Sequence, residues 1–205
     1  SDGDTWLPGE CDVSIRPGWF YHPREDHQLK SLSRLIDIYY ESVGRNANLL
    51  LNFPVDRSGR IAPADSARIM EWRRALDAEF AHDLLAEAQA TADNVRGGAR
   101  RFSAAKAVDG RTDTYWATDD GVTAATLSLQ FERPRRVNRI LLQEYIPLGQ
   151  RVGRFAVEWL DGDTWRPVET AEEMTTIGYK RIIRFAGVTT CLLYTSPSPR
   201  DSTSS

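Results

Sequence analysis

The spacing of apolar residues changes once along this chain, and that change limits the fold more than any other feature of the sequence. Up to about residue 86, apolar residues recur every three or four positions, which is the period of an amphipathic helix. From about residue 88 they alternate with polar or small residues, which is the period of a strand. We therefore predict two units with a boundary near residue 86.

The first unit, residues 1–86, alternates strand and helix signals. One helix is predicted over residues 26–44, and a second begins at Pro63, a residue suited to the first helical turn. Residues 12–15 and the short apolar run at 48–52 predict two strands, one before each helix. This order is typical of a parallel α/β layer or a (β/α)8-like barrel, in which reactive groups collect at the carboxyl ends of the strands. Because two strands cannot close a barrel, we expect the end of one, followed by a helical connector at 77–90.

The second unit, residues 87–189, carries short alternating runs separated by turn signals. Turn formers stand between the runs, for example at Asp109-Gly110 and Asp161-Gly162. Short strands at this spacing predict an antiparallel β-sandwich. The apolar positions of these runs include Ala125, Leu127, Leu129, Phe131, Phe155, Val157, Trp159, Ile183 and Phe185.

The alternation stops at Val188, and residues 190–205 form a different kind of sequence. From Cys191 onwards the chain reads CLLYTSPSPRDSTSS, which resembles translated sequencing-adaptor read-through. The same composition fits a natural Ser/Pro-rich tail. On either interpretation, we expect residues 190–205 to be disordered and to lie outside the sandwich.

Charge and hydropathy exclude two classes of partner. The formal net charge is −3 and no dense Lys/Arg block occurs, so a nucleic acid partner is not expected. No apolar stretch is long enough to span a bilayer, so no membrane partner is expected either. The chain begins at Ser1, directly before a dense motif, and we expect upstream sequence and any targeting signal to be missing. The compartment is therefore unknown from the chain itself.

Three blocks of the first unit carry a family resemblance. They read WLPGECDVSIRPGWFYH at 6–22, GRNANLLLN at 44–52 and DRSG at 56–59. Together they resemble glycoside hydrolase family 29, the α-L-fucosidases, especially the branch that cleaves α-1,3/4-linked fucose. The resemblance implies an exo-acting retaining α-L-fucosidase that releases terminal fucose from a fucosylated oligosaccharide or glycoconjugate. It also implies a secreted or periplasmic enzyme that needs no cofactor for catalysis.

In that family, a nucleophilic Asp and an acid/base Glu lie about 5 Å apart and form, then hydrolyse, a glycosyl-enzyme intermediate. The resemblance places both residues upstream of these blocks. No position of this chain matches either one, so the set of catalytic residues predicted here is empty. We expect this fragment alone to be inactive.

The resemblance assigns substrate binding to Trp19, Glu10 and His22. Trp19 matches the aromatic position that packs against the fucose ring and its C6 methyl group, although a core role is an alternative. An indole suits an apolar sugar face because it covers a large area at little entropy cost. For Glu10, a hydrogen bond at the site rim stands against a structural ion pair. For His22, a sugar contact stands against a surface or hydrogen-bonded core position.

Two further residues are predicted to shape this site. Arg16, which precedes Pro17, is expected to hold a carboxylate by a bidentate pair and so to orient the loop. Asn52, at the carboxyl end of its predicted strand, stands where barrel enzymes place functional groups. The general preference of Asn for turns favours the alternative that it caps the turn that follows.

The second unit carries its own resemblance. AAKAVDGRTDTYWAT at 104–118, the run at 127–131 followed by Pro134, and residues 144–153 resemble the factor V/VIII type C, or discoidin-like, domain, also classed as carbohydrate-binding module family 32. This implies a discoidin-like jelly roll. Candidates for sugar binding on its loops are Tyr145, Gln150 and Arg151, whereas Trp116 is predicted to be core.

The discoidin-like resemblance also implies a structural Ca²⁺ ion. The matching positions are the side chain of Asp109, the carbonyl of Arg111, and the hydroxyl or carbonyl of Thr114. A hard cation takes six to eight oxygens, so these three positions do not complete a site. The alternative for Asp109-Gly110 is an ordinary tight turn.

Functions of different classes remain open. The first is a fucosidase, of which this chain is the C-terminal part, and the second is a carbohydrate-binding or adhesion module without catalysis. A third is an assembly artefact without independent function. The block around Trp19 discriminates the first from the second, because a pure binding module has no use for it.

Overall fold

The computed structural model describes Leu7, residues 9–196 and residues 198–199. The chain divides into two compact units, Ser1–His82 and Asp83–Ser205. The division falls a few residues before the boundary predicted at residue 86. Within the described part of the chain, no helix is long and apolar enough to cross a membrane.

The first unit has the predicted order of strand, helix, strand, helix. Its elements are β1 (Gly9–Ser14), α1 (Leu32–Ser42), β2 (Ala47–Asn52) and α2 (Pro63–Glu79). The strands β1 and β2 pair in parallel, with Val13 opposite Leu51. Ile15, Leu35 and Ile38 form the buried core of the unit. The carboxyl ends of both strands therefore meet at one edge of this small sheet.

Helix α1 begins later than predicted, and the hydrogen bonds explain why. The backbone N–H of Lys30 donates to the carbonyl of Ile15 (2.9 Å), so the residues before Ser31 bond to the segment after β1. The hydroxyl of Ser31 then caps the helix by accepting from the backbone N–H of Arg34 (3.2 Å). Helix α2 begins at Pro63, as predicted.

The second unit is built on a five-stranded antiparallel sheet. The strands of the whole unit are β3 (Ala88–Ala92), β4 (Leu127–Leu142), β5 (Val152–Arg154), β6 (Val157–Asp161), β7 (Thr164–Pro167), β8 (Arg181–Thr195) and β9 (Ser198–Pro199). The order in the main sheet is β3-β4-β8-β6-β7, and β5 pairs separately with β9. Alternate residues of β4, β6 and β8 form its core, and they include Leu127, Leu129, Phe131, Val157, Ile183, Phe185 and Leu193. The predicted period of two is confirmed.

The predicted helical connector at 77–90 is wrong beyond the end of α2. A short 3-10 helix spans Leu84–Glu87, and its N-cap Asp83 accepts from the backbone N–H of Leu85 (2.9 Å). The chain then enters β3, in which Ala88 pairs with Phe131 of β4. The small side chain of Ala is compatible with a helix in the sequence, but pairing with β4 decides the outcome.

The prediction that residues 190–205 are disordered is wrong for its described beginning. Strand β8 continues to Thr195, and Leu193 is only 2% exposed. The register of β8 on β4 shifts between Gln130 and Arg135, and Thr190, only 3% exposed, lies at this irregularity. That irregularity interrupts the alternation at the point where the sequence pattern stops. Residues 197 and 200–205 lie outside the described residues.

Candidate functional site

The segment that follows β1, residues 15–26, carries two exposed aromatic side chains, and we name it the Trp19 loop. Trp19 is 45% exposed and Phe20 is 75% exposed. The loop leaves the carboxyl end of β1, beside the carboxyl end of its parallel partner β2. The indole therefore lies in neither hydrophobic core, and the alternative of a core role for Trp19 is wrong. Trp6, at the start of the same motif, lies outside the described residues.

The main chain of the loop is held at the residues just before and at the indole. The side-chain amide of Asn52 donates to the carbonyl of Trp19 (2.8 Å) and to the hydroxyl of Ser14 (3.2 Å). The Ser14 hydroxyl in turn donates to the carbonyl of Gly18 (2.8 Å). These bonds tie the ends of both strands to the loop. The prediction that Asn52 caps its following turn is replaced by a role in holding the Trp19 backbone.

Arg16 holds a carboxylate by a bidentate pair, as predicted. Its Nε and Nη2 donate to the two oxygens of Asp65 on α2, at 2.9 and 2.6 Å. Nη2 also contacts Asp26 (2.8 Å), and the guanidinium lies over the ring of Tyr21, 4.6 Å from its centroid. These bonds, that to Asp65 above all, raise the pKa of Arg16 above its ordinary value, so the guanidinium is permanently charged.

The carboxylate partners of Arg16 were not found by sequence reasoning. Asp65 is fully buried in the first turn of α2. Acidic residues are common there because they interact favourably with the helix dipole, so Asp65 gave no sign of a separate role. Asp26 was included in a predicted helix. The burial of Arg16, which requires a compensating charge, is seen only in the structure. The sequence therefore carried no signal for the position of either partner.

The structure separates the two other predicted sugar contacts. His22 is an exposed residue of the Trp19 loop, and its carbonyl accepts from Nη1 of Arg16 (3.3 Å). Glu10 is exposed near the amino end of β1, four residues before Ser14. At the usual rise per residue, about 13 Å of strand separates Glu10 from Ser14, the last residue before the loop. The geometry thus places His22, and not Glu10, in the same loop as Trp19.

The DRSG block forms a closed turn beyond β2. The carboxylate of Asp56 accepts from the N–H of Ser58 (2.8 Å), the hydroxyl of Ser58 (2.6 Å) and the N–H of Arg60 (3.1 Å). These bonds, the one from the Ser58 hydroxyl first, lower the pKa of Asp56. This motif residue is therefore a turn former.

An aromatic row lies among the loops of the second unit. Tyr145 stacks on Tyr115, with centroids 4.6 Å apart and an interplanar angle of 18°. Tyr115 contacts Phe102 at 5.6 Å. Trp116 packs against the core and donates its indole N–H to the carbonyl of Asn94 (2.9 Å), which confirms the core prediction. Of these rings, the sequence singled out only Tyr145 as a sugar contact.

The other two candidates of the second unit differ in their surroundings. Arg151 is exposed, and its Nε donates to the carbonyl of Leu148 (3.1 Å). An ion pair with Arg96 (2.7 Å) lowers the pKa of Asp120, and the charge of Arg151 adds to that effect. Arg151 therefore lies near an acidic group that sequence reasoning missed. Gln150 is half-buried.

The predicted calcium loop is closed by its own hydrogen bonds. The hydroxyl of Thr114 donates to the Asp109 carboxylate (2.8 Å), and the backbone N–H of Arg111 donates to it at 3.1 Å. Lys106 lies 3.2 Å from the same carboxylate. The Thr114 hydroxyl is the main cause that lowers the pKa of Asp109. Among the described residues, no group of three or more His, Cys, Asp and Glu side chains is placed to hold a metal. The oxygens of Asp109 and Thr114 suit a hard cation, but they are only part of a coordination shell.

Comparison with known families decides what the second unit is. The F5/8 type C domain family matches residues 88–190, just over half of the 205-residue chain. The chain belongs to the F5/8 type C domain family. The alpha-L-fucosidase family matches residues 5–77, ahead of the F5/8 type C domain. Both resemblances stated from the sequence are thereby confirmed.

Several known proteins align with nearly the whole length of this F5/8 type C chain. Alpha-L-fucosidase 1 of Arabidopsis thaliana is 35% identical over 189 residues, which cover 91% of this chain and 36% of that protein. The Ruminococcus gnavus GH29 fucosidase in complex with fucose is 32% identical, with a TM-score of 0.89 over 98% of this chain and 40% of that one. A glycoside hydrolase 29 family member from an unknown rumen bacterium is 34% identical, with a TM-score of 0.75 over 98% of this chain and 33% of that one. The chain spans 35–36% of the length of the curated relatives that it matches.

Proposed function

We propose that this chain is the C-terminal part of an exo-acting retaining α-L-fucosidase, and that its first unit is the end of a (β/α)8-like catalytic barrel. The observation that carries the proposal is the exposed indole of Trp19 at the carboxyl ends of two parallel strands. Barrel enzymes assemble their sites at that edge. The solved relative that contains fucose supports the substrate class. A secreted or periplasmic location rests on the family resemblance alone.

In this proposal the chain binds and orients the sugar, and the two carboxylates that perform the chemistry come from the upstream part of the protein. A 6-deoxy sugar presents an apolar face with its methyl group, and an indole covers such a face with a large apolar ring. The bonds from Asn52 and Ser14 fix the main chain under the ring. A fixed platform orients the glycosidic bond for in-line attack by the nucleophile. His22 remains a proposed contact at the rim, whereas the position of Glu10 near the amino end of β1 does not support such a contact.

Trp19→Ala in the full-length protein is expected to lower kcat/KM on a fluorogenic α-L-fucoside roughly 30- to 150-fold. The reason is the loss of apolar contact worth about 2–3 kcal/mol in the transition state. Trp165→Ala is the matched control, because Trp165 is also a part-exposed tryptophan (39%) but lies on β7 of the second unit. Equal activity of the Trp19 variant and the wild type would defeat the proposed platform.

The alternative, a carbohydrate-binding or adhesion module without catalysis, is favoured by a separate observation. The rings of Tyr115 and Tyr145 are stacked in the loops of the second unit, which also carry the exposed Arg151. Aromatic faces and hydrogen-bonding groups are the features that suit a glycan. On this proposal Tyr145, Gln150 and Arg151 contact the sugar. The fucoside assay separates the two functions, because a module without catalysis releases no fluorophore.

Calcium in the second unit remains a proposal, supported by the convergence of Asp109 and Thr114 oxygens. Extracellular Ca²⁺-binding modules have dissociation constants of about 0.1–1 mM. Addition of about 10 mM Ca²⁺ is then expected to raise the Tm of the second unit by about 5 °C or more. Differential scanning calorimetry with Ca²⁺, Mg²⁺ or EDTA measures this shift, and Asp109→Asn should abolish it. The same Tm in Ca²⁺ and EDTA would remove the site from the proposal.

A further inference from the structure

Hydrogen bonds hold both the side chain and the backbone of Arg16, which lies only three residues before the exposed indole of Trp19. Its side chain is fully buried, and it bonds to Asp65, Asp26 and the carbonyl of His22. Its backbone is held as well: its N–H donates to the hydroxyl of Ser14 (3.3 Å), and its carbonyl accepts from the amine of Lys30 (3.3 Å). The position of Arg16 is therefore fixed by groups other than the Trp19 indole.

The chain between Arg16 and Trp19 transmits that position with little freedom. Pro17 follows at once, and its ring locks one of its two backbone dihedrals. The carbonyl of Gly18 and the carbonyl of Trp19 are then bonded to Ser14 and Asn52, both at 2.8 Å. Any displacement of Arg16 must strain these bonds or move the indole.

The two carboxylates that bind Arg16 differ in their burial and in the number of guanidinium nitrogens that they contact. Asp65 is fully buried and binds both Nε and Nη2, so it sets the plane of the guanidinium. Asp26 is 46% exposed and binds Nη2 alone, closing the far end of the Trp19 loop onto its beginning. A single contact leaves the guanidinium free to rotate, whereas the bidentate contact does not. The orientation of Arg16 thus depends mainly on Asp65.

We propose that Asp65 is a positioning residue of the sugar site: acting through Arg16, it fixes the Trp19 loop so that the indole is held exposed at the strand ends. This inference rests on the proposed fucose site for its biological meaning, but the positioning itself is a property of the chain. A rival explanation is that Asp65 only stabilises the start of α2, where an acidic residue is favourable. The rival predicts a loss of stability with no movement of the ring.

The test is 19F NMR of the 205-residue chain labelled with 5-fluorotryptophan. The chain has six tryptophans, and Trp19→Phe assigns the Trp19 line by its disappearance. Trp72, which packs against the core of the first unit, reports whether that unit remains folded. The variants are Asp65→Asn, Asp65→Glu and a control, Asp77→Asn. Asp77 lies on the same helix and accepts from Arg73 (2.8 Å), but it is 56% exposed.

Asp65→Asn is expected to shift and broaden the Trp19 line while the Trp72 line persists, and Asp65→Glu is expected to restore it in part. Asp77→Asn should leave both lines unchanged. An unmoved Trp19 line in folded Asp65→Asn overturns the proposal in favour of the helix-start role. If Asp65→Asn loses the Trp72 line through unfolding, Asp26→Asn decides: a moved Trp19 line supports the network, and an unmoved line overturns it.

Titration with methyl α-L-fucoside separates this inference from the proposed function. In the wild-type chain the sugar is expected to shift the Trp19 line, and Asp65→Asn should weaken its apparent affinity at least tenfold. No sugar-dependent shift in the wild type would count against the fucose site. The sugar-free comparison of the Trp19 line would still decide whether Asp65 positions the ring.

Discussion

Asp65→Ala is expected to lower the unfolding free energy of the first unit by about 3 kcal/mol. The substitution leaves the buried guanidinium of Arg16 without its bidentate partner, and an uncompensated buried charge costs about 3–5 kcal/mol. Asp26 retains one contact with Arg16, so we expect the lower end of that range. Hydrogen exchange of the α2 amides measures the effect within the unit, as an acceleration of more than about a hundredfold.

Two comparisons show whether charge is the cause. Asp77→Ala removes an exposed ion pair of the same helix and should change the free energy by less than about 0.5 kcal/mol. Combining Asp65→Leu with Arg16→Met removes both buried charges together and should recover most of the loss. A double variant as unstable as Asp65→Ala would mean that shape, and not an unpaired charge, sets the cost.

Leu193→Ala is expected to destabilise the second unit by about 3 kcal/mol. Leu193 is 2% exposed in β8, where it pairs with Leu129 of β4 and Trp159 of β6. Truncation of a buried leucine removes its transfer free energy and leaves a cavity, together about 2–5 kcal/mol. Exchange of the β4 amides reports the loss.

Leu141→Ala is the matched control for this position. Leu141 lies on β4, in the same sheet, but is 38% exposed, so the loss should stay below about 1 kcal/mol. If the two variants were equally mild, residues 190–196 would contribute no core, as the sequence pattern had predicted. The measurement thus tests the largest correction that the structure makes.

The fold was predictable wherever a segment's own periodicity decides its structure. Local apolar spacing predicted strands at 12–15 and 48–52, which overlap β1 and β2, and a helix from Pro63, where α2 begins. Local spacing did not predict the start of α1, because the N–H of Lys30 donates to the carbonyl of Ile15 across the loop. Local spacing did not predict the continuation of β8 either. A register irregularity near Thr190 interrupts the alternation, although β8 still pairs with β4 beyond it.

The site was predictable in kind but not in detail. Arg16 beside Pro17 indicated a bidentate carboxylate, yet its partner Asp65 is 49 positions away in sequence. Asn52 shows the opposite failure. Its turn preference is a local rule, whereas its bond to the carbonyl of Trp19 spans 33 positions. Partners at such separations are set by how the strands and helices pack, and no pattern within one segment encodes them.

Asn52 and Ser14 grip only the peptide carbonyls at positions 18 and 19, and any amino acid supplies those same acceptors. The identity of the side chain at position 19 is therefore uncoupled from the anchoring of its backbone. A library that randomises this single codon would therefore vary the exposed surface at the strand ends on an unaltered scaffold. In the proposed sugar site, such variation would change ligand scope without compensating substitutions elsewhere.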